Sequence, residues 1–223
     1  MKNSIRQYKI HFKDKHYLLS LIISLVILAA GFIINIYAVE YATRSASSPV
    51  TDLILSNIRV YDVDGIFVNG AMLMTLFIAF VCLYDPKRIP FTVKTIALFI
   101  IIRSLFIVLT HIGAFPEHMI INPSSQNFIQ DIIGTNLYES LFLGNDSFFS
   151  GHTGLPFLMA LLYWDKKWIR TIFILLSIMF GIVVLLAHVH YTIDVLSAFF
   201  IVHGIYRISQ IIFHRDYEIS VSS

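Results

Sequence analysis

The chain is short of charge and almost without cysteine. Only 13% of its 223 residues are charged, where a soluble domain of this size carries roughly a quarter. Hydrophobic residues make up 57% and mean hydropathy is +0.76, more apolar surface than a chain of this length hides by folding on itself. A soluble globular protein is thereby excluded, and the sequence reads as an all-α polytopic membrane protein. The lone cysteine, Cys82, excludes an internal disulfide and any cysteine-rich metal site; within its apolar run it reads as an inert buried thiol. A formal net charge of +2 is too small to suggest a nucleic-acid partner. The information lies in where the few charges fall.

They divide the chain into six apolar runs. A basic segment, residues 1–16, carries Lys2, Arg6, Lys9, Lys13 and Lys15. A first span follows from Tyr17 to Val39, too long for a signal-peptide core and without a small-residue cleavage site, so it reads as retained. A polar connector, Glu40 to Gly65, leads to a second span from Ile66 to Tyr84. The turn Asp85-Pro-Lys-Arg88 precedes a third span, Phe91 to Ala114, which carries Lys94, Arg103 and His111. The connector from Phe115 to Asp146 holds acids but neither lysine nor arginine. Three more spans run from Ser147 to Trp164, Thr171 to Ala187 and Thr192 to Phe213, with the basic turn 165–170 after the first of them. The reading is a membrane domain over 17–213 and a polar tail over 214–223.

Lys and Arg collect in the N-terminal segment, the 85–90 turn, the 165–170 turn and the C-terminal end. By the positive-inside rule both termini face the cytoplasm, and Trp164 and Trp168 fall at the cytoplasmic interface. Two polar stretches then share the outer side. One is Phe149-Ser-Gly-His-Thr-Gly154, which puts His152 about five residues, or roughly 8 Å, into the fourth span. The other is Leu186-Ala-His-Val-His-Tyr-Thr-Ile-Asp194, at the turn between spans five and six. If that turn is helical, His190 and Asp194 share a face, and the carboxylate orients the imidazole as a base or nucleophile. Arg103, about 12 residues or roughly 18 Å from the inner end of span three, can approach the same depth. An unpaired arginine in lipid costs roughly 2.5–3.5 kcal/mol on the gentlest scale, so it either snorkels or pairs with a carboxylate for structure, or faces the bundle and holds an anion. Gly151 lets a ligand near the backbone, and a helix start there offers free amides to a phosphate.

Other polar residues read less sharply. His188 either shapes the site or faces water, Asp146 is a helix cap or a site acid, and His111 is an interfacial packing residue. Glu117, His118, Asp131 and Glu139 read as solvated loop residues, with their entry into the site left open. His203 and His214 lie too far toward the cytoplasm to join. A zinc site from His152, His188, His190 and Asp194 has suitable ligand types but no familiar spacing.

At these residues the sequence resembles the sphingomyelin synthase-like branch of the type-2 phosphatidate phosphatase superfamily. The resemblance rests on Asp146-Ser-Phe-Phe-Ser-Gly-His-Thr153 and His188-Val-His-Tyr-Thr-Ile-Asp-Val195, and it extends in outline from about residue 65 onward. It implies His152, His190 and Asp194 as the catalytic set. It further implies Arg103, Asp146, Ser150, Gly151, Thr153, His188 and Tyr191 as phosphate- or substrate-binding residues. Phosphatases of the superfamily usually carry a Lys-x6-Arg-Pro stretch and an arginine six residues before the second catalytic histidine. The first is missing here, Lys87-Arg88-Ile89-Pro90 lies on the cytoplasmic side, and Val184 stands at the second position. Those departures favour the synthase-like branch. The implied reaction passes through a phosphohistidine and requires neither metal nor organic cofactor. Its donor is a membrane phospholipid, and its acceptor is ceramide, diacylglycerol or water. A lipid phosphatase or phospholipase C-like hydrolase is the alternative, and a non-enzymatic lipid carrier a remote one. Oligomeric state is unreadable, and a homo-oligomer stays open.

Overall fold

A computed structural model of the protein describes residues 8, 11–119 and 148–222. Among them the secondary structure is helical and no strand is present. Seven α-helices follow in order: α1 (Lys15–Arg44), α2 (Asp64–Tyr84), α3 (Ile89–Leu109), α4 (Gly151–Leu162), α5 (Lys167–Leu186), α6 (Thr192–Ile212) and α7 (His214–Val221). Among the described residues, five stretches, corresponding to α1, α2, α3, α5 and α6, are long and apolar enough to cross a membrane. They satisfy their backbone groups internally, as a chain in hydrocarbon must. Their outward faces expose Val26, Leu73, Leu109, Leu175 and Phe200, as lipid-facing surfaces do.

The expected fourth span differs. α4 has only 12 residues and a length of about 18 Å, short of a core about 30 Å thick. It begins at Gly151 because Ser150 caps it, the hydroxyl accepting from the Thr153 amide at 3.3 Å. It stops after Leu162, where Tyr163 leaves the helical region and the buried Arg88 guanidinium donates to the Leu162 carbonyl at 3.0 Å. His152 is therefore in the first turn of α4, not a further turn and a half inside a span.

α4 is nonetheless the centre of the bundle. Leu158, Met159 and Ala160 are fully buried, and α5, α6 and α3 pack around them. Small residues set the spacing: a Cβ on Gly154 would stand 3.1 Å from both Phe99 and Val202, and one on Gly181 would stand 3.1 Å from Val195. α1 packs chiefly on α3 through Ser24, Gly31, Asn35 and Ala38. Without a hydrophobic force between helices in lipid, such small and polar faces let backbones approach and hydrogen-bond. Here Ser104 donates to the Asn35 side-chain oxygen at 3.3 Å.

Element ends depart from the sequence reading for local reasons. α1 runs on to Arg44, because nothing before Ser45 breaks a helix and the Arg44–Glu40 pair spans its last turn. α3 stops at Leu109 instead of Ala114. The strand-like segment after it is held by Ser47, whose amide donates to the His111 carbonyl at 2.7 Å. Gly113 is required there, since a Cβ would meet the Ser47 carbonyl oxygen at 2.3 Å. Beyond α6 the polar tail folds back as α7, and Asp216 accepts from Lys94 and from Ser20. Lys94, near the start of the third span, is thus buried.

Candidate active site

Two helix starts meet at one end of the bundle. At α6, Tyr191 is the N-cap and its amide donates to Asp194 Oδ2 at 2.9 Å. This cap pulls the carboxylate back over the preceding turn, and His190 Nδ1 stands 3.5 Å from the same oxygen. The helical face expected for His190 and Asp194 is absent, because His190 lies before the helix. The spacing still works, through the cap and not through a helical turn. Both side chains are buried, with exposures of 5% and 1%.

The start of α4 is joined to this cap directly. The Ser150 amide donates to the Asp194 carbonyl at 3.1 Å, so the two motif stretches share a backbone hydrogen bond. His152, in the first turn of α4, lies against Phe67 of α2 with ring centroids 4.4 Å apart. His190 and Arg103 are within electrostatic reach of its ring. Arg103 comes from α3, and its Nε donates to the Phe149 carbonyl at 3.2 Å. A Cβ on Gly151 would stand 3.2 Å from that Nε. The Arg103 guanidinium thus makes a close approach to Gly151.

The remaining expected residues divide. Ser150 and Thr153 are fully buried at the cap of α4, and the Thr153 carbonyl accepts from Ser177 at 2.7 Å. His188 adopts a left-handed φ of 54°, and its Nδ1 lies 2.8 Å from the Glu117 carbonyl. It turns toward the 113–119 segment, edge-on to Phe115. Glu117 meets this region by its carbonyl, and its side chain is exposed. The Tyr191 hydroxyl donates to the Gly113 carbonyl at 2.8 Å and accepts from the Val50 amide at 3.2 Å. His111 packs edge-on to Tyr41. Asp146, Asp131 and Glu139 lie outside the described residues. Among the described residues no three His, Cys, Asp or Glu side chains converge as ligands of a metal.

One residue that the sequence did not single out takes a large part. Asp52 reaches across from the 45–58 connector and accepts from the Thr192 amide at 2.7 Å and the Thr192 hydroxyl at 2.8 Å. It also accepts from the Ile54 and Leu55 amides. Burial pushes its carboxyl up, but the four hydrogen bonds outweigh this and hold it below the usual carboxylate range. Asp52 thus fixes the start of α6 from outside. Its local signal was only that of a turn former, and its partner lies far away in sequence.

The fold and this arrangement define a helical integral membrane protein with two histidines, a carboxylate and an arginine gathered at one end. A family profile described as PAP2 superfamily C-terminal matches residues 144–211, the stretch that holds α4, α5 and most of α6. The match supports the type-2 phosphatidate phosphatase superfamily, whose members are phosphatases and phosphotransferases acting on lipids, and it is consistent with an enzyme. It covers less than half of the chain. Neither the curated proteins nor the solved structures compared give a match.

Proposed function

We propose that the protein is a lipid phospho-head-group transferase of the sphingomyelin synthase type, with His190 as nucleophile. The observation that carries this reading is the Ser150–Asp194 backbone hydrogen bond, which joins the two histidine stretches. With Nδ1 facing Asp194, the other ring nitrogen, Nε2, attacks the phosphorus of a membrane phospholipid. A nitrogen–phosphorus bond forms and the bond from phosphorus to the leaving lipid oxygen breaks, that oxygen taking a proton from His152. His152 then removes the proton of the acceptor hydroxyl, which attacks phosphorus and releases His190. Arg103 and the free amides of the first turn of α4 stabilise the phosphoryl oxygens. The donor is a phospholipid and the acceptor a lipid alcohol, ceramide or diacylglycerol.

Hydrolysis by the same residues is the second reading. It is favoured by the phosphatase superfamily to which the matched profile refers. Water then replaces the lipid alcohol. The topology that goes with either reading has α4 completing six membrane-inserted segments, both termini cytoplasmic and the site on the extracytoplasmic face. The basic residues at the opposite end support it.

The test is a product assay in mixed micelles with labelled phosphatidylcholine, phosphatidylethanolamine and phosphatidic acid, with and without ceramide, beside His190→Ala. A labelled sphingolipid formed only with ceramide and an intact His190 is the expected result. Free phosphate or free phospho-head group, indifferent to ceramide, would replace the transferase by the hydrolase. Full turnover by a folded His190→Ala protein would remove both.

A further inference from the structure

A cavity lies at the other end of the bundle. α5 and α6 leave their joining turn, scarcely touch one another and both pack on α4. Between them is a cavity of about 700 Å³, floored by Phe157 and Leu161 of α4 and walled by Ile174 and Ile178 of α5 and Phe199 of α6. Its lower part changes character, with His203, Tyr206, Arg207 and Gln210 following one another down α6. A second recess of about 490 Å³ shares Arg207, Gln210 and Tyr217 with it.

The short α4 explains why polar groups occur at that height. α4 and α6 run side by side in the same direction, since Ser150 bonds Asp194 and the rings of Phe157 and Phe199 meet at 5.1 Å. α4 ends about 12 Å short of a full membrane core. Its last residue is level with about Tyr206, and Arg88, Asp165 and Lys166 follow at once. On this face the polar boundary therefore climbs to the level of Arg207, with His203 one turn deeper. An ionisable side chain at such depth is rare unless it meets a partner. His203 is exposed and makes no hydrogen bond among the described residues.

Charge decides the occupant. Arg88 is matched by Asp85 and Asp165, Lys94 by Asp216, and His214 by Glu218. Arg207 is exposed and donates to the neutral Gln210 side chain at 2.9 Å, with no carboxylate partner among the described residues. We propose that this groove seats an anionic diacyl phospholipid of the leaflet opposite the His152–His190 end. Its headgroup lies at Arg207 and Gln210, its ester region beside His203, and a chain lies over Phe157, Phe199 and Ile178. The site is separate from the reacting residues and stands whichever reaction they perform.

Native mass spectrometry of the full-length protein, delipidated and then offered equimolar phosphatidylglycerol and phosphatidylcholine of identical chains, tests this. Phosphatidylglycerol is expected to be retained in preference. Arg207→Gln should reduce that preference about fivefold, the effect of one cation near a lipid surface. Leu161→Trp, which fills the floor, should reduce retention of both lipids, and Leu25→Trp on the outer face of α1 should leave both unchanged. A phosphatidylglycerol with a photoreactive chain should label α4 and α6 peptides containing Phe157 and Phe199. Equal retention of the two lipids, a preference that survives Arg207→Gln, or label spread evenly onto α1 would overturn the proposal. If Leu161→Trp fails to fold, Arg207→Gln and the photolabel still decide.

Discussion

The two ends of the bundle treat buried polar groups in opposite ways. At the end that holds Arg88 and Lys94, the buried charges meet counter-charges and carbonyls: Arg88 meets Asp85, Asp165 and the Leu162 carbonyl, and Lys94 meets Asp216 and Ser20. At the end that holds His152 and His190, buried polar atoms are without a hydrogen-bond partner among the described residues. These are His111 Nε2, Thr153 Oγ1, His188 Nε2, His190 Nδ1 and Asp194 Oδ1. A satisfied buried network rigidifies a fold, whereas a partly satisfied one costs stability and persists where function needs it. One end therefore holds the helices together, and the other leaves polar atoms unmatched within the bundle.

The comparison is broken or sharpened by substituting each end in turn. The largest effect is expected from His190→Ala, with turnover falling about 10⁴-fold or more while thermal stability stays close to that of the parent. Kinetics in mixed micelles beside circular-dichroism melting checks both halves. A variant that loses stability in proportion to activity would make His190 a structural residue. The converse is expected of Lys94→Met, which leaves the half-buried Asp216 with only Ser20. It should cost about 3–5 kcal/mol of stability with little change in turnover per folded molecule, and denaturation in detergent measures this.

Gly151→Ala tests the contact between the ends of α3 and α4. The added methyl displaces the Arg103 guanidinium by a few tenths of an ångström, and turnover is expected to fall about tenfold with a small change in melting temperature. An unaltered rate would show that Arg103 does not serve the reacting phosphate. The smallest effect is expected at Asp52. Its replacement by alanine removes a cap on α6 and should cost about 1 kcal/mol, read from the same melts.

Asp52 also sets a pH dependence with a definite sign. Its carboxyl is held below the usual range, so the contribution it makes is present above the unfolded value, about 3.9, and is lost as pH falls through the lower folded value. Melting temperature should therefore decline on acidification below about pH 4 in the parent, and less steeply in Asp52→Asn. A parallel decline in both proteins would remove this role.

The membrane class, the apolar runs and the two histidine stretches were legible in the sequence because each is a local property. Apolar length and charge placement need no partner. The shortening of α4 was not legible. The apolar run from Ser147 to Trp164 looks continuous, and its helix is limited by the Ser150 cap and by Arg88, which comes from another part of the chain. Nor was the junction at His190 legible, since a four-residue spacing fits a helix and a cap equally well. Nor was the approach of the Arg103 guanidinium to Gly151, because a sequence does not say which group comes close to a glycine.

What the sequence determined by itself was therefore composition-driven: insertion into a membrane, the approximate runs, and the kinds of side chain gathered at Ser150–Thr153 and His188–Asp194. Tertiary structure alone decided that Asp52 holds Thr192, that Arg103 lies on Gly151, that Lys94 is buried against Asp216, and that α5 and α6 part below their turn. The reason is physical. Hydrophobic length and caps act over a few residues, but in lipid the helices associate through packing and polar contacts between segments far apart in the chain. Those contacts exist only once the bundle has formed.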